Sequence, residues 1–388
     1  MSKQKINTTG RTNIQPTGFG RWSTLTSSQK FTLILLIFML PLLAFLPIAY
    51  EQILQIERYG IKEAQGVVYL RTIWQITDGI QNFYTTNTRT QNGQASATDA
   101  ENSKRQVDQI LQTIRGNNDE IASELDLSFT SETLISKWNV SQNETALLYL
   151  DELSTYSREV GDKSYLILDP DLDTYYLMDA VLLRLPKNQE LLFRTNLLMD
   201  KLTVNNALSP LEENELRGYL SALENNLAEI DRGLDVGMGN NENGAMTISI
   251  QDAFDEYRSA IEAYSFSVSQ KISDQQFIDS QELLSLYESS RKESSEFYDT
   301  ASAGLENGIQ NRVNTQGRQL AAFLMLSAVS FFVAATIGYR MLSALRAPLQ
   351  KTIEAAEQFS AGNTSFRIQY EARDEFDKVI QAFNQMAG

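Results

Sequence analysis

The sequence predicts an all-α membrane protein. It has two transmembrane helices, an elongated helical-bundle domain outside the cytoplasm and a helix–connector–helix module at the C-terminal end. Three observations predict it. Two windows, Phe31 to Tyr50 and Leu320 to Tyr339, run for 20 residues each without a charge. About 20 apolar residues at ~1.5 Å rise cross a hydrocarbon core of about 30 Å. Between the windows apolar residues recur at helical spacing and strand-like alternation is scarce. Beyond the second window, two amphipathic stretches flank a short segment of alternating residues.

Charge sets the orientation. The first 30 residues carry Lys3, Lys5, Arg11, Arg21 and Lys30 and no acid, and Arg340 and Arg346 follow the second window. Basic flanks on these two sides place both termini in the cytoplasm and the middle of the chain outside. A cleaved signal peptide is the competing reading of the first window. The long polar leader, Pro41 and Pro47 within the window, and its length all stand against it. The chain has a formal net charge of −16. Basic and acidic residues cancel from Arg340 onward, so the acidic surplus lies in the middle segment. Such a surface repels nucleic acid, and no nucleic-acid partner is expected.

Taken in order, residues 1–30 read as a disordered cytoplasmic tail, rich in Ser, Thr, Gly and Gln. Residues 31–50 form the first transmembrane helix, and its pattern continues outward through Ile53, Ile56, Ile61, Val68, Ile73, Ile76, Ile80 and Phe83. Within the outer domain, residues 51–318, further helices are expected over 99–124, 131–169, 171–185, 187–206, 209–233 and 247–272. Pro170, Pro186 and Pro210 mark starts or kinks, and Val236 to Gly244 reads as a flexible loop. One bundle or two stacked bundles would bury these faces equally well. A last helix leads into the second transmembrane segment, residues 319–340.

Composition also narrows the chemistry. Cysteine and histidine are both absent, so no disulfide, thiolate or histidine-ligated metal site can form, nor a serine–histidine triad. No Gly-rich phosphate loop is present. Neither a catalytic site, a cofactor nor a metal is expected. Asp169, Asp171 and Asp173 suggest a calcium loop, but Thr174 and Ala180 stand where that pattern needs Gly and an acid. The expected role of Asp169 is to cap a helix beginning at Pro170, with the other two acids at its positive end. Arg58, Arg71, Arg89 and Arg184 could hold a carboxylate ligand, though pairing with local acids is the more economical reading. Two sequons, at Asn139 and Asn143, carry little weight.

The C-terminal segment, 341–388, is the most specific. Its first helix has apolar residues Leu342, Leu345, Leu349, Ile353, Ala356 and Phe359, spaced by threes and fours as a coiled-coil seam requires. Gly362 can end it in a left-handed conformation. A connector follows in which Phe366, Ile368 and Tyr370 alternate with polar residues. Asp374 is a suitable N-cap for a second helix, with Glu375 in its first turn and a seam of Phe376, Val379, Phe383 and Met386. Pro348-Leu349, Gly362-Asn363, Arg367-Ile368, Asp374-Glu375-Phe376 and Ala382 to Ala387 give the segment its resemblance to a HAMP domain, the relay module of bacterial transmembrane receptors. Thr364 and Asp377 depart from the usual pattern, which bears on connector packing. The resemblance implies a parallel four-helix bundle made by two chains, hence a homodimer. It also assigns Pro348 and Glu375 to coupling between membrane helix and bundle.

Two stretches of the outer domain, Glu63 to Leu70 and Leu166 to Pro186, look like segments of helical sensor regions in bacterial chemoreceptors and sensor kinases. Together these resemblances imply a bacterial inner-membrane receptor with residues 51–318 in the periplasm. It would bind an unknown periplasmic ligand or binding protein and address a cytoplasmic output domain or partner. Such receptors continue into a chemotaxis stalk, a kinase or a nucleotide cyclase, and this sequence stops as the second relay helix would end. The expected parent is therefore a longer receptor, of the methyl-accepting chemotaxis type first and a sensor kinase or cyclase second. A stand-alone tether or regulator acting in trans is the rival from another class.

Overall fold

Apolar residues at helical spacing dominate the chain, and helices are what they form: no strand occurs among the described residues. The structure, a computed structural model, describes residues 27–140, 146–205, 207–274, 280–369 and 375–387. The tail expected over residues 1–30 thus lies mostly outside the described residues, apart from Ser27 to Lys30, which begin a helix. Two compact units emerge. One spans Ile53–Arg318; the other combines Met1–Gln52 with Gln319–Gly388.

The helices are α1 (Ser27–Gln91), α2 (Ala97–Thr113), α3 (Asn117–Glu124), α4 (Ser131–Val140), α5 (Ala146–Lys163), α6 (Leu172–Met178), α7 (Leu185–Asn205), α8 (Pro210–Gly239), α9 (Ile248–Asp274), α10 (Ser280–Ser360) and α11 (Glu375–Met386). Capping chemistry fixes several starts. Ser96 and Ser209 each form a reciprocal capping box, with Asp99 and Glu212 respectively, satisfying amides that a helix start leaves open.

In the larger unit the portions of α1 and α10 that belong to it run antiparallel and are joined along their length. Arg71 binds Glu306 at 2.9 Å, the Trp74 ring stacks on Tyr298 at 4.1 Å, and Arg291 grips Asp78 at 2.8 Å and Asn82 at 3.1 Å. Around this pair the other helices bury one contiguous apolar core, running from Val67 through Trp138, Leu185 and Phe254 to Ile309. Between the one-bundle and two-bundle readings, the single shared core selects one.

Several expected boundaries moved. A single helix over 99–124 is split at Gly116, whose φ of +93° breaks the helical path. Of the helix expected over 131–169, α4 and α5 are described, and α5 ends at Lys163, because Tyr165 adopts φ +64° and leads into one 3-10 turn, Leu166–Leu168. Conversely, Pro186 does not break the chain. A π-helical segment, Asp179–Arg184, leads straight into α7, and its wider turn absorbs the missing proline N–H. Helix α8 runs to Gly239, so the expected loop starts later. Its Gly237 packs against the Met246 side chain, so a Cβ there would push the flexible methionine end aside.

In the smaller unit one helix among the described residues, α10, is long and apolar enough to cross a membrane, with a window of mean hydropathy 2.3 and none of it buried. Phe332, Ile337 and Tyr339 face outward there, a surface suited to lipid rather than water. In the first window several side chains lie outside the described residues; most of those described, such as Leu36, Leu40 and Ile48, are exposed, while Ala49 is buried. Phe45 meets Phe323 edge-on at 5.7 Å, so the two windows touch.

Candidate functional site

The relay segment is built on a small internal core. Helix α10 ends in a Schellman motif: the Asn363 N–H donates to the Gln358 carbonyl and the Gly362 N–H to that of Phe359, both at 3.1 Å. Gly362, at φ +89°, makes this reversal possible. The chain then returns so that Ile368 packs with Ala355 and Ile380, flanked by Phe366 and Phe383. Asn384 holds the connector in place. Its Oδ1 accepts the Ile368 N–H at 2.9 Å and its Nδ2 donates to the Ile368 carbonyl at 3.2 Å. Arg367 donates to the Ala387 carbonyl at 2.7 Å, closing the far end.

Against these positions the sequence expectations divide. Pro348 is buried inside α10, with Thr352 donating to its carbonyl at 2.8 Å. Gly362 ends α10 at positive φ, Ile368 lies in the small core, and Phe376 and Phe383 are half-buried, the latter edge-on to Phe359 at 6.1 Å. Four seam residues, Leu349, Ile353, Val379 and Met386, remain 39–63 % exposed. Asp374 lies outside the described residues, as does the Glu375 side chain, although Glu375 begins α11. Two core members were missed, Ala355 and Ile380. Ile380 lies four residues after Phe376 and three before Phe383, so helical spacing could have found it.

A second constellation lies in the larger unit, and its hub is a residue the sequence did not single out. Arg312, buried on α10, binds Glu63 on α1 and reaches Asp169 Oδ1 at 2.7 Å and Asp171 Oδ2 at 3.4 Å. The two stretches that resemble sensor regions therefore meet at one guanidinium. Asp169 does not cap a helix beginning at Pro170. Helix α6 starts at Leu172, and Asp169 instead accepts from Arg312, Thr174 Oγ1 at 2.7 Å and the Asp171 N–H at 3.1 Å. Asp173 is wholly buried and accepts from the Asn243 N–H at 2.8 Å and its Nδ2 at 3.1 Å. The loop expected to be flexible is thus anchored, and Asn311 Nδ2 donates to the Asn243 carbonyl at 3.0 Å.

Electrostatically, the hub is short of positive charge. Burial pushes the Glu63 carboxyl up to about 7, Arg312 opposing and Asp169 adding to the rise. Burial likewise raises Asp169 against the pull of Arg312 and Thr174. Carboxylates sharing one guanidinium cannot all ionise cheaply away from water. Of the arginines considered as ligand binders, Arg71, Arg89 and Arg184 are each paired with an acid, Glu306, Asp200 and Asp179 in turn, and Arg58 is exposed.

Residues 340–388 match the HAMP domain family. The C-terminal segment is therefore a signal-relay module of the kind found in receptors. With the exposed apolar span of α10 it makes this a membrane-associated signalling protein. No curated protein and no solved structure matches the chain.

Proposed function

We propose that the chain is the input half of a transmembrane signalling receptor: residues 51–318 sense a periplasmic stimulus, two membrane helices carry it inward, and the relay module transmits it in a homodimer. The observation that carries this reading is the position of the relay module directly after an uncharged apolar window. A methyl-accepting chemotaxis receptor is the favoured parent, with a sensor kinase or nucleotide cyclase as the alternative output. The chain itself relays and does not catalyse.

Support for the dimer comes from the exposed seam. Leu349 and Ile353 recur on one face of α10, and Val379 and Met386 on one face of α11. A second copy would bury these faces, which one chain leaves in water. Because the chain lacks cysteine, single thiols report contacts without background. In membranes, oxidation should cross-link Leu349→Cys into a dimer and leave Lys351→Cys, on the opposite face, monomeric. Equal cross-linking of both variants, or of neither, would refute the paired seam.

A further inference from the structure

Besides the charge hub, the larger unit contains a cavity of about 440 Å³ walled by α1, α5 and α7 and touched by Tyr298 of α10. That volume is in the range of small-ligand sites. Its walls are partly apolar, with Leu70, Ile73, Trp74 and Phe193. Two amides among its lining residues set it apart. Gln81 and Gln189 are only 2 % and 4 % exposed, and neither side chain makes a hydrogen bond with a described residue; Gln189 Nε2 is fully shielded and unpartnered. Buried polar groups are nearly always paired, and leaving one unpaired costs stability. Two such amides lining one cavity point to a partner that the folded chain does not itself provide.

Charge at the cavity narrows the partner. Lys187 and Arg194 are both engaged by Glu190, at 2.8 Å and 2.7 Å. Arg158, exposed at the cavity edge, has no carboxylate partner among the described residues; its one hydrogen bond there goes to Ser154 Oγ at 3.4 Å. A guanidinium left open beside a cavity suits a carboxylate. Local backbone geometry agrees, since the π-helical Asp179–Arg184 leads into Pro186 and Lys187 of the lining, and π-helical turns inside helices are frequent at functional sites.

We propose that this cavity binds a small organic monocarboxylate with an apolar body and an uncharged hydrogen-bonding group. Arg158 receives the carboxylate, the Gln81 amide and the Gln189 Oε1 pair with the uncharged group, and the wall around Trp74 and Phe193 takes the apolar body. The site gives the sensor reading an input, but binding is measured directly, so the cavity and the relay dimer can fail independently.

Two probes differing in the apolar body, N-acetyl-L-leucine and 4-hydroxyphenylacetate, are titrated by calorimetry into the full chain in nanodiscs. At least one should bind saturably, and Arg158→Gln and Gln189→Met should each weaken it roughly tenfold or more. Without ligand, Gln189→Met should raise the melting temperature, because it removes an unpaired buried amide while keeping the volume. Binding of neither probe, binding indifferent to both substitutions, or an unchanged or lowered melting temperature of Gln189→Met would each overturn the assignment.

Discussion

Between Ile53 and Arg318, apolar residues from many helices share one buried core, and charges that enter it find partners within the same chain. Among the described residues of the relay module, Ala355, Ile368 and Ile380 form the one buried apolar cluster, while larger apolar residues on α10 and α11 stay exposed. The difference lies in the helices available. The larger unit has enough chain to surround its two long helices. The relay module offers two helices and a connector, too little to cover both faces of either. One region thus buries its apolar faces within the single chain, and the other leaves apolar faces of α10 and α11 open.

The largest expected effect breaks the self-sufficient region at its hub. Arg312→Leu leaves Glu63 and Asp169 buried without their cation, which should cost about 3–5 kcal/mol. Urea unfolding of the full chain in detergent, followed by the fluorescence of Trp74 and Trp138, measures it. An effect below ~1 kcal/mol would show that the hub is not a structural ion cluster.

Next comes the pH dependence of the same region. The folded Glu63 carboxyl titrates at about 7, above its ordinary value of 4.5. Its protonated form therefore adds stability fully present below pH ~4.5 and lost as pH rises through about 7. The loss is on the order of 3 kcal/mol. Burial also raises Asp200, to about 6, against the pull of Arg89, so part of the slope belongs there. Glu63→Gln should flatten the upper part of the profile; an unchanged profile would remove Glu63 from the account.

The smallest effect sharpens the comparison from the other side. Asn384→Ala removes both bonds to the Ile368 backbone and should destabilise the connector by about 1–2 kcal/mol. Hydrogen–deuterium exchange should then quicken around residues 364–369 and stay unchanged between Ile53 and Arg318. Faster exchange in both regions would mean that the larger unit leans on the relay module for its stability.

Periodicity made the helices legible, because the 3.6-residue repeat is a local property of each amphipathic face. Where helices end was less so. Gly116 and Tyr165 take up left-handed backbone conformations, and for a tyrosine nothing local announces it. Pro186 misled in the opposite direction, since a π-helical turn can absorb what an α-helix cannot. The relay site was mostly readable, Gly362 and Ile368 by residue type and spacing, whereas the role of Asn384 depends on a connector sixteen residues away.

By itself, the sequence determined the all-helical class, the uncharged windows, the exclusion of thiol and imidazole chemistry, and the relay module. All of these follow from composition or from short-range spacing. Only the tertiary structure decided that the larger unit has one core, that Arg312 gathers Glu63 and Asp169 from opposite ends of the sequence, and that Gln81 and Gln189 line one cavity unpaired. Such pairings join residues more than a hundred positions apart. They are set by which helix faces share a core, and no local pattern encodes that choice.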